Sequence, residues 1–178
     1  MNLDVAERGS LEAVRQVLAQ KPDGVLEAIA REAGASVETA LQALPEAQRL
    51  RVRADRFAPL WDELTRWGEI VFIVHTADIV LECKGEVAAG SEGRGYFNFH
   101  GTSPIGGHIR KDHCAAIYLV DRPFHGRRSC SLQFINGTGE PMFKIFVRRD
   151  EQRELVASQV DLFTALWARE DGAAEAVG

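Results

Sequence analysis

The chain is 178 residues long, 46% hydrophobic and 26% charged, with a formal net charge of −5. That is the composition of an ordinary globular protein with room for one core, or a core and a small appendage. The acidic start MNLDVAERGSLEAVRQ lacks the basic residues and apolar run of a signal peptide, and no segment approaches the roughly 20 apolar residues that span a bilayer, so a cytoplasmic protein with no membrane partner is expected. Cys83, Cys114 and Cys130 are odd in number, widely spaced and free of any C-x-x-C pair, which argues against a disulfide framework or a cysteine zinc site and predicts reduced core thiols.

Along the chain, the first 45 residues read as helical. Ser10 is placed to cap a helix to about Gln20, with Leu11, Val14, Val17 and Leu18 on one face. Pro22 opens a second helix with Val25, Leu26, Ile29, Ala30 and Ala33 inward and Gly34 at its end; Ser36 caps a third that stops before Pro45. Helix, glycine turn and short helix outline a helix-turn-helix, and residues 49–53 would serve as its wing. A DNA-reading helix needs cations for phosphate, however, and SVETALQAL offers Glu38, Thr39 and Gln42 with no lysine or arginine. Nucleic acid is therefore disfavoured, and the region is expected to be a packing or partner-docking appendage.

A helix over 57–67 follows, with Leu60, Trp61, Leu64 and Trp67 at core spacing and Gly68 as its stop. The period then changes. Residues 70–75, 78–84, 95–100, 115–120, 129–135 and 142–148 are short Val/Ile/Phe/Tyr-rich runs bounded by Gly, Asp, Asn and Pro, with Asn136-Gly137-Thr138-Gly139 turning between the last two. They predict a six- or seven-stranded, largely antiparallel sheet. A last helix over 151–169 lays Leu155, Val156, Val160, Phe163 and Leu166 on it. The fold class is α+β: a helical region over 1–68, an antiparallel sheet closed by a C-terminal helix over 69–171 and a flexible tail over 172–178, together one structural domain.

Charge is distributed unevenly. Residues 91–149 hold nine basic and four acidic side chains, while both flanks are acidic, a pattern that suits a small anionic ligand in the middle segment better than a long polyanion; a solvated sheet edge remains the plainer alternative. The same segment contains GYFNFHGTSPIGGHIRKDHC, with three of the five histidines. Strand parity puts Tyr96, Asn98 and His100 on one face and Phe97 and Phe99 on the other. His75 ends an earlier strand beside Val71 and Ile73, and His108 follows the Gly-Gly turn with Arg110 on its side. Imidazole and phenolate ligate haem iron in apolar cavities whose cations neutralise the propionates. His75, Tyr96, His100 and His108, with Arg94, Arg110 and Lys111, supply every part of such a site; a surface or hydrogen-bonded role for each histidine is the bland alternative.

The blocks GEIVFIVHTADIVLECKGEV, GRGYFNFHG and SPIGGHIRKDHCAAIYLVDRPF, with the late hairpin QFINGTGEPMFKIFV, resemble the HutX/ChuX family of bacterial intracellular haem-utilisation proteins over nearly the whole chain. The resemblance implies a fold related to half of a HemS/ChuS-like protein. It also implies a cytoplasmic haem carrier, homodimeric, that passes haem to a haem-degrading partner. His75 and His108 match family iron ligands, and Tyr96 is the nearest counterpart of the tyrosine that other members use, with His100 on the same face. Two further functions stay open, a haem-degrading enzyme and a DNA-binding regulator. No G-x-G-x-x-G, G-x-S-x-G or H-E-x-x-H motif marks a nucleotide-dependent reductase, a hydrolase or a zinc protease.

Overall fold

The computed structural model describes residues 3–175, and side chains over 10–173. In chain order the elements are α1 (Leu3–Gln20), α2 (Leu26–Ala33), α3 (Val37–Ala43), β1 (Arg49–Arg53), α4 (Phe57–Leu64), β2 (Glu69–His75), β3 (Val80–Glu86), β4 (Gly90–Gly93), β5 (Tyr96–Phe99), β6 (Gly107–Ile109), β7 (Cys114–Phe124), β8 (Arg127–Asn136), β9 (Pro141–Phe146) and α5 (Ala157–Glu175). Every strand pairing is antiparallel. A six-stranded sheet runs β1-β7-β8-β9-β2-β3, and a second sheet runs β4-β5-β6.

The central strands are apolar on both faces, so both must be covered. On one face Ile117, Leu119, Leu132, Phe134, Phe143, Ile145 and Ile70 are buried beneath α4, α5 and the small sheet. Aromatic rings lock this core. Phe57 meets Phe97 and Phe134 edge-on at 5.3 and 5.2 Å, and Phe134 stacks on Phe143 at 4.3 Å, each pair adding about 0.5–1.5 kcal/mol beyond its buried area. Gly90 permits the small sheet to lie this close, because a Cβ there would fall 1.9 Å from the Phe97 ring.

On the other face Ala116, Tyr118, Val120 and Ile135 are buried by Val14, Leu26, Ile29, Ala40 and Leu41 of α1–α3. The apolar packing of those helices is confined to β7 and β8. Beyond it only Glu27 of α2 reaches across to β9 and β2, and the same face of β9, β2 and β3 bounds the candidate site.

Several sequence-based expectations need correction. The second helix starts at Leu26, not Pro22, because the carbonyls of Pro22 and Gly24 accept hydrogen bonds from Arg122 and the backbone and side chain of Asp23 accept from His125 and Gly126. The wing expected at 49–53 is β1, paired along its length with β7 as a sheet edge. Strands over 90–93 and 107–109 make a second sheet where one was expected. The last helix begins at Ala157 because Asp150 accepts the Glu154 amide in a closed turn, with Arg153 at φ 66. Helix α5 covers residues 172–175 of the expected tail; residues 176–178 lie outside the described ones.

The proposed reading helix is a docked helix. Ser36 caps α3 as expected, accepting from the Thr39 amide, but Glu38 accepts from the Tyr118 hydroxyl and its amide donates to Gly139 in the β8–β9 turn. All three cysteines are free thiols. Cys114 and Cys130 are buried, which pushes their pKa values up to about 11 and about 12.

Candidate functional site

Parity in β2 places Ile70 and Phe72 toward the aromatic core and Val71, Ile73 and His75 on the opposite face. Register carries that face across the sheet. His75 lies opposite Val80, Ile73 opposite Glu82 and Lys144, and Val71 opposite Lys84 and Phe146. With Val25 and, from the first turn of α2, Leu26 and Glu27 as one wall, these side chains bound a half-open cavity of about 450 Å3, inside the range of about 300–1,000 Å3 typical of small-ligand sites.

The lining is mainly apolar with four cationic residues, Lys84, Arg122, Lys144 and Arg149, against Glu27 and Glu82. Two of the cations are deeply buried, Arg122 at 5% and Lys144 at 5% exposure. Burial pulls the Lys144 ammonium below the ordinary lysine value, against the attraction of Glu27, with which it forms a close ion pair. Arg122 donates to two α1–α2 loop carbonyls and has no carboxylate partner among the described residues. The floor is therefore electropositive and the walls greasy.

His75 Nδ1 stands 3.2 Å from Glu27 Oε1. A carboxylate only accepts, so this contact suits the tautomer with its proton on Nδ1, which would leave the Nε2 lone pair to the cavity. An imidazole with one nitrogen anchored and the other free is the form in which histidine binds a metal.

The other predicted donors gather elsewhere. Tyr96, Asn98, His100 and His108 share the outward face of the small sheet, as parity indicates, with the His100 and His108 rings 5.2 Å apart and the Tyr96 and His108 rings 5.9 Å apart. Asn98 Nδ2 donates to the carbonyls of Ser91, Gly93 and Tyr96, which fixes Oδ1 toward His108 Nδ1 at 2.6 Å and leaves His108 Nε2 free as well. The Arg110 guanidinium lies 5.5 Å over the Tyr96 ring and pairs with Asp112; Lys111 pairs with Glu92; Arg94 sits exposed in the β4–β5 turn at φ 55.

The seven predicted residues thus do not form one pocket in one chain. His75 faces the cavity, while Tyr96, His100, His108 and Arg110 face solvent beyond the small sheet, with the aromatic core between the two groups. Phe97, Phe99 and Ile109 are buried in that core. Sequence reasoning missed Glu27, Arg122, Gln133 and Lys144. Gln133 and Lys144 carried a signal, a polar residue set among apolar neighbours in the strands SLQFIN and MFKIF, whereas Glu27 and Arg122 carried none.

A planar, largely apolar dianion with a metal centre fits this chemistry: hydrophobic walls for its faces, cations for its carboxylates and one imidazole for its metal. Among the described residues no cluster of three His, Cys, Asp or Glu side chains offers a bare-ion site instead, and no helix is long and apolar enough to cross a membrane.

Comparison with known proteins agrees with this chemistry. The intracellular heme transport protein HutX of Vibrio cholerae is 32% identical over 156 residues, 87% of this chain and 81% of that one. A crystal structure of a protein from Agrobacterium tumefaciens superposes with a TM-score of 0.86 at 46% identity over 97% of each chain, and the heme-binding protein ChuX with a TM-score of 0.80 at 36% identity over 88% of this chain and 97% of that one. ChuS, an E. coli heme oxygenase, shares the fold at 15% identity and a TM-score of 0.67, this chain spanning 42% of it. The sequence model described as haem utilisation ChuX/HutX matches residues 50–166, and the chain belongs to that family.

Proposed function

We propose that this protein is a cytoplasmic haem carrier that binds haem in the cavity of the six-stranded sheet and delivers it to a haem-degrading partner. The observation that carries the reading is the cavity itself: an imidazole beside a buried carboxylate in largely apolar surroundings, above a floor with two buried cations. Val25, Leu26, Val71, Ile73, Val80 and Phe146 would pack on the porphyrin faces, His75 would hold the iron, and Lys84 and Arg149 would pair with the propionates. A half-open cavity with a single ligand suits a carrier, since release needs no rearrangement of the core.

The separation of the two donor groups supports a homodimer. One haem would meet both His75 and the Tyr96–His108 patch only if the patch of a second copy covers the cavity. Ile79, Val80 and Leu81 at the β2–β3 tip are 55%, 53% and 57% exposed, and β3 is an unpaired sheet edge, so an apolar surface lies next to the cavity mouth. In that arrangement His108 or Tyr96 would offer a second donor to the ligand, and Arg94, Arg110 and Lys111 would add cations at the rim.

The test is an absorption titration with hemin on the full chain and on H75A, followed by addition of ascorbate. A carrier gives a saturable Soret band that His75→Ala shifts or weakens and that ascorbate does not bleach. An unaltered band in H75A removes the cavity from consideration, and bleaching with ascorbate would make the protein a haem-degrading enzyme.

A further inference from the structure

Helix α2 does more than wall the cavity. Its Glu27 side chain is buried at 9% exposure, and one oxygen, Oε1, lies both 3.2 Å from His75 Nδ1 and against Lys144 Nζ. Groups from two strands, β2 and β9, therefore converge on one carboxylate oxygen of α2 at the wall of the cavity. A buried ion pair of this kind contributes little net stability, and an apolar replacement of similar volume would serve the fold equally well. A structural role alone leaves unexplained why the carboxylate is turned toward the one histidine in the cavity.

We propose that Glu27 is a positioning residue for iron ligation: it holds the His75 ring by its Nδ1–H, so that Nε2 is presented to the cavity, while Lys144 holds Glu27. This rests on the reading of the cavity as the haem site with His75 as ligand. The proposal gives the N-terminal helices a part in ligand binding. It also locates the support of the metal ligand in residue 27, outside the 50–166 segment matched by the family. An outer-shell carboxylate of this kind fixes both tautomer and ring orientation, and its loss typically costs 10–100-fold in metal affinity.

The experiment has two readouts on the full chain. In the protein without hemin, long-range 1H–15N NMR correlations report the His75 tautomer; with hemin, titration and the Fe–His stretching band of the reduced complex report ligation. Glu27→Gln, which keeps an accepting oxygen, should retain the Nδ1–H tautomer and most of the affinity. Glu27→Ala should shift His75 toward the Nε2–H tautomer, lower hemin affinity by about tenfold or more and move the Fe–His band. Because E27A strands Lys144 without its partner, the double variant Glu27→Leu/Lys144→Met removes both charges together and should show the same tautomer and affinity changes in a stably folded chain. An unchanged tautomer and Fe–His band in the double variant overturns the proposal even if H75A abolishes binding. If H75A itself leaves hemin binding unaltered, the cavity reading has failed and the positioning role falls with it, whatever the tautomer shows.

Discussion

The two histidine-bearing regions contrast in every physical respect except residue type. The small sheet concentrates His100 and His108 with Tyr96 and Arg110 on an exposed face, whereas the cavity has a single histidine, His75, backed by a buried carboxylate, two buried cations and apolar walls. The dense cluster lacks an enclosing volume, and the lone histidine has one. On the proposed reading, density of coordinating residues in a sequence is a poor guide to where a ligand is held, and the environment that orients the donor and excludes water is the better one.

That contrast can be tested first through stability. Replacing Lys144 by Ala leaves the Glu27 carboxylate buried with His75 alone and should destabilise the fold by about 3–5 kcal/mol, read from denaturant unfolding. Arg110→Ala, on the exposed patch, should leave the unfolding midpoint where it is. Equal effects would erase the distinction between a built cavity and a solvated face.

The next largest effect is on binding. Ile73 lines the cavity without belonging to the core, so Ile73→Trp should fill the space and weaken hemin binding at least tenfold, about 1.4 kcal/mol, with little change in the unfolding midpoint. Hemin affinity unaffected by a filled cavity would shift the site to the outer patch.

A smaller effect tests the scaffold between the two regions. Glu170 on α5 accepts two hydrogen bonds from Arg56, which hold its carboxyl below the ordinary value. A carboxyl depressed in the folded state binds fewer protons there than in the unfolded chain, so its stabilisation is present above the ordinary carboxylate pKa and is lost as pH falls through the lowered one. Glu170→Gln should therefore be less stable than the parent at pH 7, by about 1 kcal/mol, and the gap should close in acid. A gap that widens in acid would mean that Arg56 does not act through this carboxylate.

The smallest effects are expected from the patch in hemin titrations. His108→Ala and Tyr96→Phe should each weaken binding by less than His75→Ala does, and a patch supplied by a second copy predicts that their effects shrink when the protein is diluted below its dimer dissociation constant, measured by sedimentation. Concentration-independent losses larger than that of H75A would reverse the ranking of the two regions.

Much of this architecture was legible in the sequence. Period 3.6 located α2, α3 and α4 to within a few residues, the Ser36 cap and the Gly34 stop are where the residues indicate, and alternation in YFNFH divided that strand's two faces as the coordinates do. Elements defined by long-range partners were not legible. Residues 90–93 carry no β-propensity and become a strand only because Gly90 lies against the Phe97 ring, and Pro22 looked like a helix start until Arg122, a hundred residues away, claimed its carbonyl. The site followed the same rule. His75 beside Val71 and Ile73 was visible by parity, but Glu27 and Lys144 reach it from two other elements, and no spacing in one sequence announces that convergence.

The most direct test of where haem sits is an NMR titration of the methyl-labelled full chain with ferric hemin, which broadens signals near the iron by paramagnetic relaxation. A site in the cavity predicts that the Val71, Ile73 and Val80 methyls broaden at substoichiometric hemin. Broadening confined to the small sheet around Tyr96, His100 and His108, with those three methyls still sharp at saturation, would contradict it.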